Sequence, residues 1–156
     1  MSNITIKKIK YTEITVTKLK DQLWRVDEPI NIKLYLDTGV IRLFIKPGFE
    51  FDFGSIPKPF RSFIDPIGEF GIAYLIHDFG YVYHGFSRNT WDSFLYQSLK
   101  IGAYNTTQNR KTKTMSTFKA ACVYKAVDWF GESSYLSNLN KRDFQKTKLS
   151  LTWDSK

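Results

Sequence analysis

Cys122 is the only cysteine of the chain, so no intrachain disulfide can form. It sits in an Ala-Ala-Cys-Val setting that suits a small buried residue, and the default expectation is a protein made and folded in a reducing cytoplasm. No apolar run approaches the roughly 18 residues that a membrane span needs. Lys7, Lys8 and Lys10 stand near the N-terminus with no continuous apolar stretch after them, so an ordinary secretory signal is not expected. Histidine is scarce: His77 and His84 are the only two. The zinc-protease and metal-phosphohydrolase patterns need further histidines at set spacings. The chain also has no zinc-finger spacing, basic zipper or aromatic-glycine ribonucleoprotein signature, no Gly-x-Ser-x-Gly elbow and no internal repeat.

What the chain does have is aromatic side chains and positive charge. The 156 residues are enough for one domain with a proper core, and a hydrophobic fraction of 42% argues for a globular fold and against disorder. Of the 26 aromatic residues (13 Phe, 9 Tyr and 4 Trp), 13 lie between Phe51 and Tyr96. The formal net charge of +8 is unevenly spread: +3 over residues 1–50, −1 over 51–100 and +6 over 101–156. The aromatic middle is therefore nearly neutral between basic ends. Such ends can bind nucleic acid or an acidic protein surface, although ordinary solvated lysines give the same count.

The first third alternates with a period of two, the mark of half-buried strands. Residues 4–19 read as two strands or one long bent one, and Leu23-Trp24-Arg25-Val26 as a short strand. Ile32, Leu34 and Leu36 alternate with polar residues, Asp37-Thr38-Gly39 supplies turn chemistry, and Val40 to Ile45 returns, so 31–46 is a hairpin. Phe49 to Phe53 alternates again and is expected to run back along the preceding strand. At Gly54 the period changes, and Pro57, Pro59 and Pro66 keep 54–68 irregular. A helix is expected from Glu69 to about Tyr83, with Gly85 at its end. Ser87, Asn89 and Thr90 are candidate N-caps for a second helix, Trp91 to about Ala103. Residues 105–114 read as a polar, basic loop or as the first turns of the next helix. A third helix, Met115 to Phe130, is expected to stop at Gly131, leaving 132–156 as a C-terminal tail that packs loosely or on a partner. The expected architecture is α+β, a single domain over 1–131 with an N-terminal antiparallel sheet followed by a packed set of about three helices.

The chemistry-bearing residues lie where sheet gives way to helices. His77 can switch charge near neutral pH or ligate a metal as neutral imidazole. Asp78 follows it directly, about 100° round a helix, so the two do not face each other as a dyad would. Tyr81 and His84 share the His77 face, and Asp92 opens the next helix within reach of His77 or Asp78. Asp52 and Ser55 sit where the last strand leaves the sheet. Three readings compete. In one, His77, Asp78, Asp92 and Asp52 hold a divalent metal that activates water. In another, Ser55 is a nucleophile with His77 as base. In the third the polar groups cap the Pro-rich turn and satisfy one another inside the core, and the aromatic stripe Phe70, Tyr74 and Tyr81 is core as well.

Several stretches in this order resemble a known family. PGFEFDFGSIPKPF is similar to its strand-then-turn motif, an Asp followed by Ser-x-Pro; AYLIHDFGY resembles its His-Asp helix motif; Asn89 to Phe94 resembles an Asp-centred segment; and ACVYKAVDWFG resembles a closing helix. The family is an uncharacterised one of bacteriophages and prophages, domain of unknown function 1353, and the resemblance covers about residues 40–131. It implies a tailed-phage or prophage protein, and it falls on Asp52, Ser55, Pro57, His77, Asp78, Tyr81 and Asp92. Two functions then follow as expectations. One is a virion component of the tail region, made in the host cytoplasm and packed against other phage structural proteins. The other is a small late-gene hydrolase, metal-assisted, acting on host envelope or nucleotide material through His77, Asp78, Asp52, Ser55, Tyr81 and Asp92. No cofactor is fixed beyond a candidate divalent metal on His77, Asp78 and Asp92. Nucleic acid is a candidate partner through the basic ends alone.

Overall fold

The computed structural model describes residues 4–20, 23–51, 68–141 and 143–156. Two antiparallel systems open the chain, built from β1 (Ile6–Tyr11), β2 (Val16–Lys20), β3 (Leu23–Val26), β4 (Ile30–Leu36), β5 (Gly39–Ile45) and β6 (Glu50–Phe51). Then come α1 (Gly71–Tyr83), α2 (Arg88–Ile101), a short pair β7 (Tyr104–Asn105) and β8 (Arg110–Lys111), α3 (Thr117–Lys141), α4 (Asp143–Lys146) and β9 (Leu149–Ser155). The fold is α+β, as the alternating first third and helical middle imply.

The main sheet has the order β8-β7-β1-β4-β5-β9, and β2-β3-β6 form a smaller one. The expected hairpin is β4–β5, in register from Ile30 opposite Ile45 to Leu36 opposite Gly39. Its period of two is expressed directly: Ile30, Ile32, Leu34, Ile41, Leu43 and Ile45 are all buried, and Asn31, Lys33 and Arg42 between them are exposed. The helices cover that inner face. Gln97 of α2 ties it to β1, accepting from the Ile6 amide at 2.6 Å and donating to the Ile4 carbonyl at 3.0 Å.

Of the two readings of residues 4–19 the two strands hold, and they lie in different sheets. Three expectations are corrected. The stretch from Phe49 does not return along β5. After the turn at Pro47–Gly48 it leaves the main sheet, and β6 pairs with β3, Trp24 opposite Phe51. The alternation there was real, since Phe49 and Phe51 are fully buried and Glu50 is not, but period alone does not name a strand's partner. Residues 105–114 are neither one loop nor the start of a helix: β7 lies parallel to β1 and turns back into β8. Gly131 does not stop the third helix. α3 runs on to Lys141, and the expected tail becomes its last turns, α4 and β9. β9 pairs with β5 along its whole length, Leu149 opposite Ile45 to Ser155 opposite Gly39.

α1 is buried on nearly every side, from Gly71 to Val82, which is why a single stripe describes it poorly. It ends at His84, whose φ of 66° is unusual for a side chain other than glycine, followed by Gly85 at 67°. Of the three candidate caps for α2, Ser87 is the one used, its hydroxyl accepting from the Thr90 amide at 3.3 Å. In α3 the inward positions are Ala120, Val123, Ala126, Val127 and Gly131. Phe118 and Phe130 on the same helix are 79% and 58% exposed.

Candidate functional site

Three helices close on one carboxylate. Asp92, in the second turn of α2, is buried, and His77 beside it on α1 is buried completely. One Asp92 oxygen, Oδ1, is 2.8 Å from His77 Nε2 and accepts from the Tyr81 hydroxyl at 2.7 Å. Its other oxygen accepts from Arg88 at 3.4 Å, one turn earlier on α2. His77 and Tyr81, four residues apart on α1, reach the same atom because that spacing puts them on one face. Their rings stack obliquely at 4.1 Å. Arg88 also donates to the backbone carbonyls of Asp128 at 3.0 Å and Val127 at 3.4 Å, which brings α3 into the cluster.

Close approach of backbone and side chain makes this possible. A Cβ on Gly80 would fall 1.9 Å from the Trp91 ring, and one on Gly131 would fall 2.4 Å from the Tyr81 hydroxyl. The two glycines therefore let α1 lie against α2 and let α3 pass over Tyr81. Trp91 is itself held, its indole N–H donating to the His84 carbonyl at 2.7 Å. Tyr135, on the part of α3 beyond Gly131, closes the far side. Its ring meets Tyr81 edge-on at 5.3 Å and His84 at 4.1 Å, and its hydroxyl donates to the Phe86 carbonyl at 3.1 Å.

The electrostatics follow from burial. Burial first, and then the neighbouring Asp92 charge, push the Tyr81 hydroxyl far above its ordinary range, so it stays a proton donor at any physiological pH. Burial works against the Arg88 charge, but Asp92, Tyr81 and Asp128 together outweigh it and the guanidinium pKa is raised. An ionised Asp92 can only accept, so His77 Nε2 carries a proton, and in the neutral imidazole Nδ1 then carries a lone pair. That Nδ1 is buried and has no hydrogen-bond partner among the described residues.

Of the residues singled out by sequence, the structure brings His77, Tyr81 and Asp92 together. Asp78 is buried as well but lies about 100° further round α1, outside this hydrogen-bond set. Asp52, Ser55 and Pro57 fall outside the described residues. Among the described residues no group of three or more His, Cys, Asp or Glu side chains could hold a metal ion. Two members of the cluster were not found by sequence reasoning. Arg88 carried the signal of an Arg four residues before Asp92 on one helix. Tyr135 continued the spacing Ala120, Val123, Val127 and Gly131, which was cut short at the glycine.

The fold and this closed His–Asp–Tyr–Arg cluster define an α+β protein whose helices meet around one buried carboxylate. Residues 24–127 match the family described as a protein of unknown function (DUF1353), and the chain belongs to that family. The match starts earlier than residue 40, taking in β4 and most of β3, and leaves Tyr135 and β9 outside it. No curated protein and no solved structure matches the chain. No helix is long and apolar enough to cross a membrane among the described residues.

Proposed function

We propose that this chain is a structural or interaction component of a bacteriophage particle, in its tail region, and that it docks through the outer face of α3. The observation that carries this is the exposure of Phe118 (79%), Trp129 (69%), Phe130 (58%) and Leu136 (52%) on one helix. Phe118, Trp129 and Leu136 are spaced by close to whole numbers of turns, so they form one stripe facing solvent. Large apolar side chains gathered in this way mark an interaction surface, whereas scattered ones need no explanation. The phage setting rests on the sequence resemblance. The His77–Asp92 cluster supports the same reading, because, His77 Nδ1 apart, its polar groups are spent on one another and on the α3 backbone. In this role the cluster is a staple that fixes the helix carrying the docking face.

The test is mass spectrometry of purified particles from phage carrying the natural chain and a Trp129→Glu/Leu136→Glu variant. The natural chain should be present in the particle, and the variant, folded by circular dichroism, should be missing. Particles without the natural chain overturn the reading.

One observation favours a second reading, the small hydrolase. An imidazole with Nε2 on a carboxylate and a lone pair left on Nδ1 is arranged as a general base. A metal-assisted version would need a donor beyond the described residues, and Asp52 is the one the sequence singles out. Turnover of peptidoglycan fragments or nucleotides that vanishes in His77→Gln would establish it. Equal turnover in both proteins would end it.

A further inference from the structure

The outer face of the main sheet carries a pattern that neither reading uses. The strand registers place Lys111 opposite Tyr104, Tyr104 opposite Lys10, Lys10 opposite Lys33, Lys33 opposite Arg42 and Arg42 opposite Thr152. Directly paired residues point to the same face of a sheet, with Cβ atoms about 5 Å apart. One row therefore crosses all six strands and holds four cations. Five strand spacings of about 4.8 Å make it about 24 Å long.

The row is a local conflict. Lys10, Lys33 and Arg42 stand side by side, and like charges directly opposite on neighbouring strands destabilise a sheet. Of these only Arg42 has a carboxylate to answer it, Asp154 at 2.7 Å. Among the described residues Lys10, Lys33 and Lys111 have none within ion-pair distance. Rings accompany the charge. Tyr104 is in the row itself, and Tyr35, opposite Lys8 in the register, lies 6.0 Å from the Lys10 ammonium. Both rings are half-buried, so each stands on the sheet with a side open. A groove of 380 Å³ runs over the same place, lined by Lys10, Thr12, Asn31, Lys33, Tyr35 and Thr106.

We propose that this sheet face binds single-stranded nucleic acid, with Lys111, Lys10, Lys33 and Arg42 following the phosphates and Tyr35 and Tyr104 offering rings to the bases. A line of cations with interleaved aromatics is the chemistry that single strands select, because charge tracks the backbone and every base has a face to stack. A duplex fits worse. Its major groove admits a helix or a two-stranded ribbon, not the broad face of a six-stranded sheet. The length of the row suits the short end of the roughly 4–16 nucleotides that such folds cover. The site lies on the sheet face opposite the helices, so it is independent of the docking face on α3.

Fluorescence anisotropy with a labelled oligothymidine tests this on the full chain. Lys10→Gln/Lys33→Gln removes two cations from exposed or half-exposed positions and also relieves their repulsion, so the variant should be at least as stable as the parent. Its affinity should fall at least tenfold, and the slope of log affinity against log salt should shrink by roughly 1.4, about 0.7 for each lost phosphate contact. Tyr35→Leu should weaken binding with little change in that slope. Lys18→Gln/Lys20→Gln takes the same charge from the other sheet and should change little. The proposal is overturned if this control weakens binding as much as the row variant. It is also overturned if a duplex of equal length binds as tightly as the single strand. Binding to phosphatidylserine vesicles without binding to the oligonucleotide would assign the row to a membrane surface and sink it too.

Discussion

At the residue scale, Asp92 is the atom set on which the helices agree, and its charge is what three donors address. Asp92→Asn keeps the volume and leaves His77, Tyr81 and Arg88 facing a neutral amide. Breaking one side of a buried charged network costs about 3 kcal/mol, and we expect a loss of that order in urea unfolding. Tyr81→Phe removes one donor and leaves the carboxylate with two, so about 1 kcal/mol is expected. The reverse ranking would mean that Tyr81 matters by packing alone. His84 gives a second, pH-dependent prediction. Burial, and then the Lys146 charge, hold its imidazole below its ordinary value of 6.5. The unfolded chain restores that value, so the unfolded state takes up the proton first as the pH falls. Stability is therefore complete above about pH 6.5 and is lost as the pH drops from there to the lower folded value. His84→Asn, which tolerates the left-handed backbone, should flatten thermal stability between about pH 7 and 5 relative to the parent. The sequence made His77, Tyr81 and Asp92 legible because helical spacing is short-range. It could not show that all three share one oxygen, because that depends on how far α2 folds back.

At the scale of elements, glycine decides where the helices can touch, and sequence reading was least secure there. Gly80 in a helix costs about 1 kcal/mol against alanine by intrinsic propensity, so Gly80→Ala should stabilise an isolated α1. In this protein the sign reverses. The added methyl would enter the Trp91 ring at 1.9 Å. That ring has nowhere to go, packed against Phe79 at 5.9 Å, Phe86 at 5.6 Å and Phe94 at 5.5 Å. Overpacking should outweigh the propensity gain, for a net loss of about 2 kcal/mol in chemical denaturation. A neutral or stabilised Gly80→Ala would mean that α1 and α2 can separate freely. Gly131 was misread for the same reason: propensity marks it as a helix stop, while the tertiary contact with Tyr81 keeps it in mid-helix. Starts of helices fared better. Ser87, a local cap, was among the candidates because capping is settled by residues within one turn.

At the scale of the whole molecule, the chain's last strand completes the sheet that its first strands begin. The period of two in Leu149, Leu151 and Trp153 was present in the sequence. Its partner was not visible, since the β5 strand it joins is more than a hundred residues away, as in the Arg42–Asp154 pair. Long-range pairing of this kind has no local signature, whereas the β4–β5 hairpin carries its own turn. A chain ending at Lys148 should therefore lose more than a tail. It would leave β5 as a bare edge with unpaired amides and carbonyls, beside a core that includes Ile41, Leu43 and Ile45. We expect that truncation to lower the melting temperature and to produce concentration-dependent aggregation, read by light scattering on the purified protein. The Arg42–Asp154 ion pair is not the cause to be blamed. Its side chains are 46% and 61% exposed, and an exposed pair contributes about 1 kcal/mol or less. Asp154→Asn should accordingly leave melting and solubility close to those of the parent, while the truncated chain aggregates. If the point variant matched the truncation, the surface charge rather than the strand pairing would be holding the end of the chain in place.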